Sequence, residues 1–231
     1  MIDLYSWPTP NGFKVSILLE ECGLDYRAHP IDIGAGDQFS PEFLAISPNN
    51  KIPAIVDHDG PGGGDYALFE SGAILLYLAE KTGMFWPQSH PAKWDTVQWL
   101  MWQMGGFGPM LGQAHHFRVY APEKIAYAVD RYTNEAGRLY NVLDRRLGES
   151  EWLGGDTYSI ADIATFPWSR SIERQGQSLD DFPNFRRWFQ AIDARPAVQR
   201  GLKVLADRRK EGPIDDKARE AMFGTMQYQR R

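Results

Sequence analysis

The sequence predicts two domains: an α/β domain over residues 1–86, and an all-α domain over residues 92–210 that is followed by a polar tail at 211–231. Three observations support this division. The first 33 residues alternate between strand-like and helix-like patterns, which is typical of a β-α-β unit. Beyond Gly83 the apolar residues follow helical spacing, and Pro87 and Pro91 mark a linker. A chain of 231 residues with 43% hydrophobic content is also long enough for two compact cores.

The first domain is expected to open with a strand over residues 2–5, a helix over 11–22 and a second strand over 26–33. Pro10 suits the first position of the helix, which makes Thr9 its candidate N-cap. Residues 41–46 predict one short helix. Residues 54–56 and 66–69 predict a hairpin with a glycine-rich tip.

Residues 47–53 indicate a binding site built from backbone. Pro48 and Pro53 flank a segment that cannot be helical, and Pro53 stands at the entrance of a strand. Because proline donates no hydrogen bond, the edge at Ile52 should remain available to an extended, peptide-like ligand. Lys51 beside it is placed to meet a carboxylate, although residues 49–51 could equally be simple turn residues.

Glu70 and Ser71 stand at the start of a helix whose apolar residues repeat through Leu78. A helix N-terminus with a serine hydroxyl accepts a carboxylate, and Glu70 could hold an ammonium group. One amino-acid head group would therefore satisfy both residues. The alternative is structural: Ser71 acts only as the N-cap and Glu70 complements the helix dipole.

Composition excludes several classes of function. The single cysteine, Cys22, rules out an intrachain disulfide and a Cys-x-x-Cys redox pair, and its position near the end of a helix disfavours a reactive thiolate. A net charge of −5 argues against general affinity for nucleic acid. The sequence shows no transmembrane run or secretory signal, so a cytoplasmic protein is expected, and His115 and His116 lack further ligands at metal spacing.

Two motifs resemble those of a known family. Asn-Lys-Ile-Pro-Ala-Ile-Val-Asp (50–57) and Phe-Glu-Ser-Gly-Ala-Ile-Leu-Leu-Tyr-Leu (69–78) are similar to the glutathione-binding half of glutathione transferases. Pro-Thr-Pro-Asn-Gly (8–12) and Gly-Pro-Met-Leu-Gly-Gln (108–113) resemble the Nu-class bacterial branch, whose members act as disulfide-bond oxidoreductases. The resemblance implies a thioredoxin-like first domain, an α-helical second domain, glutathione as co-substrate without a metal, and a homodimer.

The resemblance also implies roles for individual residues. Thr9 and Asn11 would direct side-chain donors at a bound thiolate, whereas the local pattern favours Thr9 as a cap. Gln38, Lys51, Ile52, Glu70 and Ser71 would bind the peptide ligand, with an exposed loop residue as the alternative for Gln38. Arg131 resembles a Nu-class arginine that reaches the ligand, and its alternative is a solvated helix arginine.

Three functions remain open at this point. The first is reduction of disulfides by thiol–disulfide exchange, with bound glutathione as the thiol and glutathione disulfide as its oxidised product. The second is conjugation of glutathione to carbon electrophiles, and the third is a non-catalytic regulatory or interaction protein of the same fold. Since the chain offers no suitable thiol, a nucleophilic sulfur must arrive with the substrate.

Further helices are expected in the second domain. Residues 92–120 are aromatic-rich and interrupted at 105–109, so a bend is expected there. A helix should cover 123–147, and Ser159 with Asp162 predicts a capping box. Helices are also expected over 183–194 and from 196 to about 208, before the polar tail.

Overall fold

The structure, a computed structural model, describes residues 1–208, 212 and 214–229. The chain divides into two compact units. The first unit joins Met1–Ile74 to Gln199–Arg231, and the second comprises Leu75–Val198. These units differ from the ranges expected from sequence, because residues 75–86 fall in the second unit and the residues beyond Val198 fall in the first. None of the helices in the described part of the chain has the length and apolar character needed to span a membrane.

A four-stranded sheet forms the centre of the first unit. Its strands are β1 (Ile2–Ser6), β2 (Tyr26–Pro30), β3 (Ala54–Asp57) and β4 (Tyr66–Phe69), in the order β2-β1-β3-β4. β1 runs parallel to β2, whereas the β1–β3 and β3–β4 pairs are antiparallel. Side chains alternate across β1, so Ile2 and Leu4 are buried while Tyr5 stacks on the His29 ring at 4.8 Å.

Five helices or parts of helices belong to the first unit with this sheet. They are α1 (Pro10–Cys22), α2 (Pro41–Ile46), the first turn of α3 (Ser71–Thr82), most of α9 (Pro196–Lys203) and α10 (Asp216–Phe223). Val15, Leu18 and Leu19 of α1 are fully buried. α9 packs closely on α1, because a Cβ on Gly201 would lie 2.6 Å from the Cα of Ile17.

The second unit is helical. It contains the rest of α3, then α4 (His90–Trp102), α5 (Gly108–His115), α6 (Ala126–Glu149), α7 (Ile160–Ser169), α8 (Pro183–Asp193) and the start of α9. Its fully buried side chains include Leu100, Phe107, Tyr140, Phe166 and Trp188. The expected bend is a π-helical turn at Gln103–Phe107, which joins α4 to α5. The predicted capping box at Ser159 and Asp162 is confirmed.

Several predicted boundaries and the expected tail differ from the structure. β2 ends at Pro30 rather than at residue 33, because the Asp32 carboxylate accepts hydrogen bonds from the Gly34 and Ala35 N–H groups and bends the chain. α9 ends at Lys203 rather than near Arg208, and Leu205 has the positive φ of 57° that breaks a helix. The expected polar tail contains α10 and a short 3₁₀ turn at Thr225–Tyr228.

Candidate functional site

The N-terminus of α1 carries the first group of predicted site residues. Thr9 is the N-cap: its hydroxyl oxygen accepts from the Gly12 N–H at 3.5 Å, and the hydroxyl lies 3.4 Å from the Trp7 carbonyl. Only glycine fits at position 12, since a Cβ there would come within 2.2 Å of that carbonyl oxygen. The half-buried Asn11 lies in the same first turn. This helix end therefore combines a hydroxyl, an amide and the positive end of the helix dipole.

A pocket of 240 Å³ opens beside Thr9, entirely within the first unit. The turn before α1 and the loop after β2 form one wall, and the C-terminal residues around α10 form the other. Trp7, Ile33 and Met222 give it an apolar lining, while Asp32 and Lys217 add charged groups. The pocket can hold a small organic group next to the N-terminus of α1.

The N-terminus of α3 carries the second group. Glu70 is exposed and has a φ of 70°, and its carbonyl accepts from the Ile74 N–H at 2.9 Å. Glu70 thus occupies the N-cap position, and Ser71 is the first helical residue rather than the cap that the sequence predicted. The helix begins at Ser71 itself, one residue earlier than a serine N-cap at that position would imply. The Asn49 amide donates to the Glu70 carboxylate at 3.5 Å.

Lys14 lies beneath this corner, and sequence reasoning missed it. Its side chain is 1% exposed, and Nζ donates to Ser71 Oγ at 3.4 Å. Burial lowers the pKa of the Lys14 ammonium to about 7, although the Glu70 carboxylate raises it. The only signal in the sequence is a lysine among the apolar residues of an otherwise buried helix.

The segment before β3 forms a tight turn. Ser47 is buried and donates to the Lys51 carbonyl at 2.8 Å, and the Asn50 N–H donates to the Ser47 carbonyl at 2.9 Å. The Ile52–Pro53 peptide bond is cis. Ile52 lies two residues before β3, outside the pairing of that strand with β1 and β4. Its main chain thus stands at the end of the strand, where an extended ligand can pair with it.

The C-terminal segment contacts two predicted ligand-binding residues. Gln38 is 2% exposed, so the alternative of an exposed loop residue is wrong. Its amide nitrogen lies 3.2 Å from the Ile33 carbonyl and 3.4 Å from the Ala221 carbonyl, while Oε1 has no hydrogen-bond partner among the described residues. Lys51 donates to Gln227 Oε1 at 2.5 Å, and burial lowers the pKa of its ammonium. Local sequence patterns do not indicate these contacts, because they join residues up to 183 positions apart.

Three further residues that the sequence analysis discussed lie on other elements or at the other end of α1. Arg131 is exposed on α6, in the second unit, and its charge helps to lower the pKa of Glu135. Cys22 is half-buried at the last position of α1, opposite the end that holds Thr9. Asp162 is fully buried and bonded within its capping box. Among the described residues, no cluster of three or more His, Cys, Asp or Glu side chains could hold a metal ion.

Comparison with known proteins identifies the family. Residues 1–80 match the family "Glutathione S-transferase, N-terminal domain", and residues 106–196 match "Glutathione S-transferase, C-terminal domain". The Escherichia coli protein "Disulfide-bond oxidoreductase YfcG" is 55% identical over 91% of this chain and 100% of its own length.

Two solved structures are also similar. A glutathione transferase family member from Pseudomonas fluorescens pf-5, with two glutathione bound, is 53% identical with a TM-score of 0.83, over 87% of this chain and 92% of that one. A glutathione transferase from Pseudomonas putida, with one glutathione disulfide bound per subunit, is 51% identical with a TM-score of 0.84. The match covers 88% of this chain and 91% of that one. This chain therefore belongs to the glutathione transferase family.

Proposed function

We propose that this protein reduces disulfides with glutathione. The observation that carries the proposal is the position of the single cysteine. Cys22 and Thr9 stand at opposite ends of α1, about 20 Å apart at 1.5 Å per residue, so Cys22 cannot supply sulfur at the N-terminus of that helix. The sulfur that reacts beside Thr9 must therefore belong to the substrate. Bound glutathione supplies it.

The reaction consists of two exchange steps. The glutathione thiolate attacks one sulfur of the disulfide, and the other sulfur leaves as a thiolate that takes a proton from solvent. A second glutathione thiolate then attacks the mixed disulfide and releases the second thiol. The product is glutathione disulfide, so two glutathione molecules are oxidised for each disulfide reduced. The bound molecules in the Pseudomonas fluorescens and Pseudomonas putida structures, two glutathione and one glutathione disulfide, support this stoichiometry.

Thr9 and Asn11 stabilise the attacking thiolate in this proposal. Lowering the pKa of a thiol from about 8.5 to about 6.5 raises the ionised fraction at pH 7 roughly 25-fold. Because a less basic thiolate is a weaker nucleophile, a Brønsted slope near 0.45 removes about eight-fold of that gain. A few-fold remains, so most of the acceleration must come from holding two sulfurs in line.

Residues of the first unit and Arg131 are proposed to bind the parts of glutathione other than its sulfur. Its amino-acid head group binds at Glu70 and Ser71, and its peptide backbone pairs with Ile52. The carboxylate at the other end of the peptide meets Lys51, and the side-chain amide of Gln38 is proposed to hydrogen-bond the peptide. Arg131 is proposed to reach the ligand from α6. A homodimer of such subunits is likewise part of the proposal.

A paired assay tests this function. Glutathione-dependent turnover of a small disulfide, followed as glutathione disulfide, is compared with conjugation to a chlorinated nitrobenzene under the same conditions. We expect disulfide turnover to exceed conjugation by at least tenfold in kcat/KM. Faster conjugation would support a transferase instead, and the absence of both activities with intact glutathione binding would support a binding protein.

A further inference from the structure

Lys14 is a buried cation that the proposed chemistry does not use. Its side chain projects from the middle of α1 and is 1% exposed, in a helix whose neighbouring residues Val15, Ile17 and Leu18 are fully buried. Removing an ammonium group from water is costly unless charged or polar groups surround it. The position of Lys14 therefore requires an explanation.

The ammonium lies at the N-terminus of a second helix. Nζ is 3.4 Å from Ser71 Oγ in the first turn of α3, and the negative field of Glu70 acts on it. A helix N-terminus carries partial positive charge, so it repels a cation and attracts an anion. Two positive features thus meet at one point, and a carboxylate placed there is attracted by both.

We propose that Lys14 is a positioning residue for the amino-acid head group of the ligand: it orients the Ser71 hydroxyl and offsets the charge of Glu70. This inference rests on the proposed function, because it takes glutathione or a similar γ-glutamyl peptide as the ligand. A hydroxyl oxygen that accepts from Lys14 directs its own hydrogen away from that residue, and this hydrogen can point at a carboxylate.

The charges of the head group also support this role for Lys14. The head group brings one ammonium and one carboxylate. Glu70 alone would attract the ammonium and repel the carboxylate, whereas Glu70 with a protonated Lys14 presents one charge of each sign. The negative charge of Glu70, the residue before α3, raises the pKa of the Lys14 ammonium. The site therefore favours a zwitterionic head group over a simple amine or a simple acid.

Binding of S-hexylglutathione tests the proposal, because its sulfur cannot ionise and so does not add a thiol titration. Kd is measured by calorimetry from pH 6 to pH 9 for the wild type, Lys14→Met and Lys14→Arg. Lys203→Met, at an exposed position of α9, is the matched control. We expect Lys14→Met to raise Kd at least tenfold at pH 6, which is the lower end of the effect of losing a charge-assisted hydrogen bond. Lys203→Met should leave it unchanged.

The dependence of Kd on pH separates the titration of Lys14 from that of the ligand. The amino group of the ligand also titrates in this range and weakens binding in every variant. Lys14→Arg keeps its charge throughout, so its profile reports the ligand alone. We expect the wild type to lose affinity more steeply than Lys14→Arg above pH 7. Because the proposed role is in binding, Lys14→Met should raise KM for glutathione at pH 6 by a larger factor than it changes kcat.

Three results would overturn the proposal. If Lys14→Met is folded by circular dichroism and binds within two-fold of the wild type at pH 6, Lys14 is structural. If Lys14→Met does not fold, the wild type and Lys14→Arg are compared instead. Parallel curves of Kd against pH for these two proteins would also show that Lys14 is structural. If the wild type fails to bind S-hexylglutathione at any pH, the proposed function itself fails, and that result is distinguishable from the other two.

Discussion

Thr9→Ala separates helix capping from stabilisation of a thiolate. The capping bond from the Gly12 N–H is 3.5 Å long, whereas such bonds usually measure about 2.9–3.0 Å. The cap should therefore contribute near the low end of the usual range, about 0.5 kcal/mol. For a chain of this size that corresponds to a fall in Tm of about 1–2 °C. A donor to a charged sulfur is worth more, about 1.5–3 kcal/mol before water replaces it.

We therefore expect Thr9→Ala to raise the pKa of bound glutathione by about one unit while stability hardly changes. The ultraviolet absorbance of the thiolate, titrated against pH at saturating glutathione, measures this shift. Thr9→Ser keeps the hydroxyl and should restore the wild-type curve. Removing the Asn11 amide as well should raise the pKa further, and Asn11 should account for the larger share because its side chain does not serve as the N-cap.

Ser159→Ala is the matched control, since it removes a cap from α7 in the second unit. Its hydroxyl oxygen accepts from the Ala161 N–H at 3.3 Å, and the hydroxyl donates to Asp162 at 3.1 Å. We expect this variant to lose more stability than Thr9→Ala and to leave the thiol titration unchanged. An unchanged titration in Thr9→Ala, together with a clear fall in Tm, would refute the catalytic role of Thr9.

Four further substitutions test other parts of the structure. Cys22→Ala should keep disulfide turnover within two-fold, and a tenfold loss of kcat in a folded variant would exclude an external thiol as the only nucleophile. Asp162→Ala leaves the buried N–H groups of Leu153, Ser159 and Trp188 without their acceptor, at about 1–3 kcal/mol each, so denaturant titration should show loss of most of the 5–15 kcal/mol typical of a domain. Burial raises the pKa of Asp162 to about 6, so the native state holds a proton that the unfolded state loses near pH 4. The free energy of unfolding that this proton contributes is therefore lost as pH rises from about 4 through 6. Because asparagine does not titrate, the difference in free energy of unfolding between the wild type and Asp162→Asn should narrow over that range. Gln227→Ala removes the hydrogen bond to Lys51, so calorimetry should show a two- to five-fold lower Kd for glutathione, whereas a higher Kd would make Gln227 part of the ligand site.

Local patterns were sufficient for most of the fold. The short apolar run at residues 54–56 and the serine–aspartate pair of α7 produce their elements through interactions between near neighbours, and both predictions are confirmed. Boundaries failed where a side chain interrupts the backbone pattern, as Asp32 does after β2. The sequence could not show that α10 belongs to the first unit, because helical periodicity carries no information about which surface a helix covers.

The candidate site was less predictable than the fold. Thr9 and Ser71 could be proposed because helix starts have recognisable residues. Lys14 could not, since a lysine within a helix is usually exposed and only its packing against α3 reveals its burial. The engagement of Gln38 and Lys51 by residues 221 and 227 is equally invisible from sequence, because it depends on the tertiary fold.

The return of the C-terminal residues to the first unit affects how this protein can be synthesised. The Ser16 hydroxyl donates to the Gly201 carbonyl at 2.8 Å, and the two residues are 185 positions apart. At about 5–20 residues per second, a ribosome needs roughly 10–40 s to reach Gly201 after it has added Ser16. During that interval α1 lacks its contact with α9, and the segment after β2 lacks its contacts with α10. The N-terminal residues thus begin to fold first, but their unit is completed last, and a nascent chain that stalls before residue 199 exposes an unfinished core.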